Sequence, residues 1–298
     1  MKILLLGGSG QLGTELRRSL APLGELVITA RDGALTNGEP AIALDLTDLD
    51  SIAPLVTSLR PDVVVNATAY TAVDRAEDES ELAYRVNAEA PKRLAAACVA
   101  HDAALVHYST DYVFDGTATR PYREDDPTSP LGVYGTSKLA GEAAIGDSGA
   151  RHLILRTAWV YATHSQNFLR TMLRVGAERD ELRVVADQVG SPTPAWLIAD
   201  VTAAILAKGI GQSRVRHLVA GGQTTWCGFA EAIFEQALLA GLIDRVPRVL
   251  PITTAEYPTP ARRPAYSVLD TSGLQAEHGL LIPDWRPALR ATLAMPEA

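Results

Sequence analysis

The segment KILLLGGSGQLG, residues 2–13, decides the fold. Lys2 to Leu6 form an apolar run suited to a buried parallel strand and too short for a secretory leader. Glycines follow at positions 7, 8, 10 and 13, and a helical pattern begins at Gln11. The glycines fit two frames. Gly8-x-Gly10-x-x-Gly13 has the dinucleotide-binding spacing, and Gly7-x-x-Gly10-x-x-Gly13 is a wider variant. The physics is the same in both. The first glycine permits the turn off the strand. Gly10 lets backbone approach a pyrophosphate, and Gly13 lets helix pack against strand. The amides of Gln11 and Leu12, opening the helix, are then expected to face phosphate oxygens.

Outward from this segment, apolar strands are predicted at 26–30, 63–66, 104–107 (running on to Ser109-Thr110) and 152–155. Helices are predicted at 11–20, near 78–100 and from Tyr134 to about Ala144. Short strands alternating with helices imply right-handed βαβ units. The expected class is α/β: a doubly wound, Rossmann-like parallel sheet with a smaller C-terminal substrate lobe. Residues 1–158 are expected to form the dinucleotide-binding domain. A return segment near 193–222 is expected to bring a strand at His217-Leu218-Val219. Residues 159–298, where prolines recur, read mostly as the substrate-binding lobe.

Composition narrows the function. The 298 residues are 47% hydrophobic and 21% charged, values of an ordinary globular chain. A net charge of −8 without a basic run argues against a nucleic-acid partner. No stretch reaches the length of a membrane span. Cys98 and Cys227 lie far apart and suggest neither a disulfide framework nor a metal site, and the six histidines lack zinc spacing. The expectation is a cytoplasmic enzyme acting on a small molecule.

The chemistry is concentrated in Tyr134-Gly135-Thr136-Ser137-Lys138. Four-residue spacing stacks Tyr134 and Lys138 on one helix face. A lysine cation beside a phenol favours the phenolate, so the pair is expected to trade a proton near neutral pH. The cofactor can be read from the strand ends. The second strand closes on Ala30-Arg31-Asp32. Arg31 suits a 2′-phosphate, whereas Asp32 suits a free ribose. The balance favours NADPH, with NADH also possible. Asp45-Leu46 either borders the adenine or caps a helix that Leu46-Thr47-Asp48 opens. In Asn66-Ala67-Thr68-Ala69-Tyr70, small residues allow the backbone of Ala67, Ala69 and Tyr70 to line the cofactor. Asn87 reads as a hydrogen bond inside a helix.

Taken together, the glycine loop, Asn66-Ala67, Ser109-Thr110 and Tyr134-x-x-x-Lys138 resemble the extended short-chain dehydrogenase/reductases. The strings HYSTDYVFDG (107–116), VYGTSKLAGE (133–142), LRTAWVY (155–161), NFLRTML (167–173), DQVGSPT (187–193) and PTPARRPAYSVLD (258–270) are more specific. They resemble reductases of dTDP-linked 4-keto-6-deoxy sugars, nearly end to end. The resemblance implies hydride delivery to a C4 ketone. Tyr134 then protonates the alkoxide, Lys138 lowers the tyrosine pKa and bonds the nicotinamide ribose, and Thr110 holds the carbonyl oxygen. Val73, Ser109, Thr110 and Trp159 carry over as substrate contacts. Arg262 and Arg263 are candidate diphosphate partners, because guanidinium forks match phosphate oxygens.

Some relatives place a carboxylate after the SPT string, at a metal-linked dimer contact. Here Pro194-Ala195-Trp196 supplies no acid, which makes a bridging Mg²⁺ doubtful although Glu15 remains available; a homodimer stays open. Two further readings stand beside the reductase. A nucleotide-sugar dehydratase or epimerase would recycle its NAD, but dehydratases of this fold follow the threonine with an Asp-Glu pair, and here Asp111-Tyr112 follows. A non-catalytic regulator of methionine adenosyltransferase is the other.

Overall fold

The computed structural model describes residues 1–295. Its centre is a seven-stranded sheet whose neighbouring strands all run parallel. In chain order the strands are β1 (Lys2–Leu6), β2 (Glu25–Ala30), β3 (Ile42–Ala43), β4 (Val63–Asn66), β5 (Ala104–Thr110) and β6 (His152–Thr157), with β11 (Arg214–His217) joining later. Their spatial order is β11-β6-β5-β4-β1-β2-β3. The chain therefore reverses direction across the sheet between β1 and β4, and the crevice at such a switch point is where ligands bind in open α/β sheets.

The strands read as continuous apolar runs because both faces of the sheet are covered. Ile3 and Leu5 face one core with Leu16 and Leu20 of α1 (Gln11–Leu20) and with Ile198 and Ile205 of α7 (Ala195–Lys208). Leu4 and Leu6 face the other, with Ile52 and Val56 of α2 (Ile52–Leu59) and Leu94 of α4 (Ala90–Ala100). This period-two alternation fixes strand register: a one-residue slip would exchange the two faces. Between α2 and α4 lies α3 (Ser80–Tyr84), and α5 (Val133–Gly146) follows β5.

Beyond β6 the chain builds smaller units. These are the pair β7 (Val160–Tyr161) with β10 (Thr193–Pro194), the pair β8 (Glu181–Val185) with β13 (Arg248–Ile252), and the pair β9 (Val189–Gly190) with β12 (Thr224–Thr225). Around them sit α6 (Phe168–Glu178), α8 (Trp226–Leu239), α9 (Ser272–His278) and α10 (Trp285–Ala294). A satellite core of Leu182, Val184, Ala230 and Phe234 holds β8 to α8.

Three elements differ from the sequence expectation. The helix expected near 78–100 is interrupted, with a π-type turn at Arg85–Glu89 between α3 and α4. Pro91 opens α4 and cannot donate to the Asn87 carbonyl four residues back. That carbonyl instead lies over Gly141 of α5, where a Cβ would approach it to 2.1 Å. The strand expected at His217–Val219 ends at His217 and begins at Arg214. Leu218 and Val219 are fully buried beyond its end, so their apolar character marks the core and not strand pairing. Strand β13 escaped notice because it contains Pro251. In a two-stranded sheet that proline's missing N–H can face away from the partner.

The glycine loop is set by close approach. Gly7 has φ of +78°, and a Cβ on Gly13 would sit 2.0 Å from the Gly7 carbonyl oxygen. We expect Gly13→Ala to lower the unfolding free energy by about 3 kcal/mol, an overpacking cost that the backbone contact cannot relax away. Denaturant unfolding checks this; a loss under ~0.5 kcal/mol contradicts the packing assignment.

Candidate active site

A cleft of about 690 Å³ opens at the carboxyl ends of β1, β2 and β4. Gly7, Gly10, Arg31, Asp45, Leu46, Ala67, Ala69 and Tyr70 all line it. Ser9, Asp32, Leu44, Thr68, Arg75 and Glu79 line it as well. Gly10 caps α1 without any side-chain hydrogen bond, so the helix's first amides keep no internal side-chain partner. A polar cleft with a glycine cradle and an open helix N-terminus fits a dinucleotide. Gln11 and Leu12 stay out of the cleft lining. The Gln11 side chain accepts from Asn167 at 2.9 Å, and Leu12 packs against the core. Only their amides remain for a phosphate. Asp45 lines the cleft but caps no helix, because the first helical turn starts only at Leu49 and Asp48 precedes it. Asp45 accepts from the Thr47 amide at 2.9 Å, and this bond, aided by the charge of Arg31, lowers its pKa.

Asn87 ties the cleft to α5. Its Oδ1 accepts from the Tyr70 amide at 2.8 Å, and its Nδ2 donates to the Tyr70 carbonyl and the Ser137 hydroxyl, each at 3.1 Å. The sequence reading placed this residue's bond inside its own helix. The bond goes elsewhere because the π-type turn aims the side chain at the loop after β4. The Tyr70 hydroxyl donates to Glu79 at 2.7 Å, and Arg75 pairs with the same carboxylate.

On α5, Tyr134 and Lys138 share one face as the spacing requires. The Lys138 Nζ donates to the Tyr108 carbonyl at 2.6 Å and lies 3.2 Å from His107 Nε2. His107 Nδ1 in turn faces Asn66 Nδ2 at 3.1 Å. Burial, with the lysine charge added, holds His107 far below the usual imidazole range. Burial also pulls Lys138 down to about 8. The Tyr134 phenol goes the other way: burial pushes it up to about 12, and the Thr110 hydroxyl only partly opposes this. The sequence reading expected the lysine to soften the phenol. Within the protein alone it does not, because the amine is turned to Tyr108 and His107 and desolvation dominates.

Thr110 ends β5 beside Tyr134. Its Oγ1 accepts from the Tyr112 amide at 3.1 Å and donates to Asp111 at 3.0 Å. The neighbouring Ser109 Oγ is buried with no hydrogen-bond partner. Val73, Tyr112, Tyr134, Gly135 and Arg262 border one small hollow. Arg263 points elsewhere. Its fork is occupied by Asp74, at 3.0 and 2.7 Å, so this guanidinium is already neutralised by a carboxylate. It borders a separate cleft of about 300 Å³ with Phe168, Met172, Trp226 and Tyr257. Trp159 stacks on Trp226 with ring centroids 3.5 Å apart and planes 6° from parallel. Its φ of +47° is unusual for a bulky residue, and Gly190 leaves room for its indole. Trp226 and His107 were not singled out from the sequence, and Asp74, read there as the start of a solvated acidic run or a border of the substrate with Val73, instead holds Arg263. Only the HYSTDYVFDG string pointed near either of the first two.

Glu15 pairs with His164 at 3.0 Å and with Arg18 at 3.6 Å. Among the described residues no group of three or more His, Cys, Asp or Glu is placed to hold a metal, and no helix is long and apolar enough to cross a membrane.

The family described as RmlD substrate binding domain matches residues 1–297. A dTDP-4-dehydrorhamnose reductase of Burkholderia thailandensis is 49% identical over 298 residues, covering 97% of each chain. The crystal structure of a dTDP-4-dehydrorhamnose reductase from Clostridium acetobutylicum superposes with a TM-score of 0.89 at 37% identity, covering 98% of both chains. That of the Bacillus anthracis dTDP-4-dehydrorhamnose reductase, in complex with NADP, gives 0.88 at 33% identity, covering 98% of this chain and 99% of its own.

The Lys138 shift has a stability consequence. Folded Lys138 releases its proton near 8, while an unfolded lysine holds it to about 10.5. The unfolded state thus binds more protons between these values, and folding gains as pH rises through them. Relative to Lys138→Met, the parent protein should gain about 2 kcal/mol between pH 7 and pH 9.5. Parallel denaturant curves at the two pH values check this, and a difference independent of pH contradicts it.

Proposed function

The chain belongs to the RmlD substrate binding domain family, and from that membership we propose how its site works: it uses NADPH to reduce the C4 ketone of dTDP-4-dehydro-L-rhamnose (dTDP-4-dehydro-6-deoxy-L-mannose) to dTDP-L-rhamnose. One observation carries this reading. A dinucleotide-sized cleft and the Thr110–Tyr134–Lys138 cluster lie along the carboxyl edge of a single sheet, joined through the Asn87 bonds to Tyr70 and Ser137.

Bound NADPH supplies the hydride to the ketone carbon. The protein does the rest. The Gly7–Gly10 backbone and the first amides of α1 hold the diphosphate, and Asp45, Leu46 and the Ala67–Tyr70 loop border the adenosine and nicotinamide halves. Arg31 offers its guanidinium to a 2′-phosphate. It is exposed at the cleft rim with no ion-pair partner among the described residues, unlike Arg263. NADH can enter the same cleft without this contact.

Thr110 and Tyr134 direct hydroxyl groups at the ketone oxygen. As hydride adds, that oxygen becomes an alkoxide. An alkoxide is a far stronger base than a phenolate, so a phenol held near 12 still gives up its proton downhill. Lys138, poised near 8, is readily charged when a phenolate forms one turn away, and it compensates that charge. Ser109 and Val73 border the sugar, and Trp159, fixed by Trp226, walls it from water. Arg262 is the guanidinium left for the sugar diphosphate, since Arg263 is held by Asp74. Asp111 is followed by Tyr112, whose ring meets Tyr134 edge-on at 5.8 Å, so the second carboxylate of a dehydratase pair is replaced by an aromatic. Two buried free thiols and the use of NADPH suit a cytoplasmic setting.

Two outcomes test the reading. Tyr134→Phe should lower kcat by about 10²- to 10⁴-fold while NADPH affinity changes less than ~2-fold. Loss of NADPH absorbance with dTDP-4-dehydro-L-rhamnose reports it, and near-normal turnover would exclude the acid role. Arg31→Ala should raise KM for NADPH about tenfold and leave KM for NADH unchanged. An equal effect on both cofactors would remove Arg31 from the 2′-phosphate site.

A further inference from the structure

The hydroxyl of Thr110 has one hydrogen and two lone pairs. The Tyr112 amide takes one lone pair at 3.1 Å, and the Tyr134 phenol is a hydrogen-bond neighbour that a bound ketone oxygen would draw away. The Asp111 Oδ1 lies 3.0 Å away. An ionised carboxylate can only accept, so it would capture the single Thr110 hydrogen. Thr110 would then show a substrate ketone nothing but a lone pair, which repels the oxygen it has to hold. A protonated Asp111 reverses the bond. The acid donates to the second lone pair of Thr110, and the Thr110 hydrogen is left for the ketone beside the Tyr134 phenol.

The surroundings of Asp111 agree with this. The side chain is 2% exposed, and its Oδ2 finds no hydrogen-bond partner. Among the described residues no lysine, arginine or histidine pairs with it. The titratable groups nearest it are phenols, Tyr112 on its own turn and Tyr134 from α5. The segment after Arg263 contributes only the hydroxyl of Ser267, and the amides of residues 111 and 112 add weak bonds. Asp74 and Arg263 act on Tyr112 and not on this carboxyl group. A buried anion with an orphan oxygen and no counter-charge is costly.

We propose that Asp111 is a positioning residue that stays protonated in the reacting enzyme and thereby turns the Thr110 hydroxyl toward the ketone. The proposal rests on the reduction argued above, which needs donors at that oxygen. Asp111 keeps its proton throughout, and the proton given to the product is that of Tyr134. Burial already pushes the Asp111 acid up to about 6. Substrate binding removes the remaining solvent and favours the neutral form further.

The native protein, ¹³C-labelled at aspartate side-chain carboxyls and assigned with Asp111→Asn, gives the direct test. With NADPH bound, the Asp111 carbon should titrate with a midpoint above ~7, so that the acid is neutral at the pH of turnover, against about 3.9 for a free aspartate. A midpoint at or below ~7 leaves the carboxylate ionised there and overturns the proposal. This titration uses no sugar, so its failure is separate from failure of the reductase reading. Kinetics supply the second arm. Asp111→Ala should lower kcat about a hundredfold with NADPH affinity intact. Asp111→Asn, whose amide nitrogen donates as the protonated acid does, should recover at least a tenth of parental kcat and lose the alkaline decline due to Asp111. An Asn variant as impaired as the Ala variant, at every pH, means that the ionised carboxylate is required. If the Asn variant does not fold, the Asp111 resonance is assigned as the signal that vanishes in Asp111→Glu, and the titration decides alone.

Discussion

A single bond, from the Lys138 ammonium to the Tyr108 carbonyl, sets the geometry of the catalytic edge. The lysine is 1% exposed and has no carboxylate bonded to its nitrogen, so its hydrogens must be satisfied by fixed dipoles. The end of β5 supplies them. Pinning Lys138 there pins α5 against β5, and Tyr134, one turn earlier, is brought beside Thr110. Asn87 holds the same helix from the other side through Ser137 and carries the loop after β4 with it. The cleft and the helix carrying Tyr134 are thus parts of one hydrogen-bonded frame.

The frame stores unfavourable local terms. A lysine, a histidine and an aspartate lie buried within a few residues of one another in sequence or space. Trp159 sits at a positive φ, a conformation that costs of order 1–3 kcal/mol. Such terms cluster where charge must move in a water-poor pocket. They are held in place by a large conventional core on both faces of the sheet. The electrostatics follow from this burial. Desolvation, more than any pairwise contact, sets the acidity of Tyr134, Lys138 and Asp111.

Much of this was readable in the chain. The run KILLL followed by glycines marked β1 and α1 to the residue, because a two-faced buried strand and a helix opened by glycines leave unambiguous local signals. Tyr134 and Lys138 were legible because helical spacing is local. Gly7, Gly10, Arg31, Asp45 and the Ala67–Tyr70 loop, which line the cleft, could be grouped for the same reason: each ends or follows a strand. What escaped depended on tertiary contact. The bond from Asn87 to Tyr70 required a π-type turn that Pro91 imposes. The pairing of Arg263 with Asp74 joins residues 189 positions apart, and no local pattern separates it from Arg262. The phenol's raised pKa was misjudged because spacing reveals which groups are near, but not how much water they lose.

The central claim is that the Tyr134 hydroxyl delivers its proton to the oxygen on C4 of the sugar while Lys138 anchors the frame behind it. A crystal structure with NADP⁺ and dTDP-L-rhamnose tests this most directly. The account predicts the Tyr134 Oη within about 3 Å of the C4 hydroxyl oxygen, with Thr110 Oγ1 on the same oxygen. A sugar bound with C4 facing the nicotinamide but with another side chain at that oxygen, and Tyr134 turned toward solvent, would contradict it.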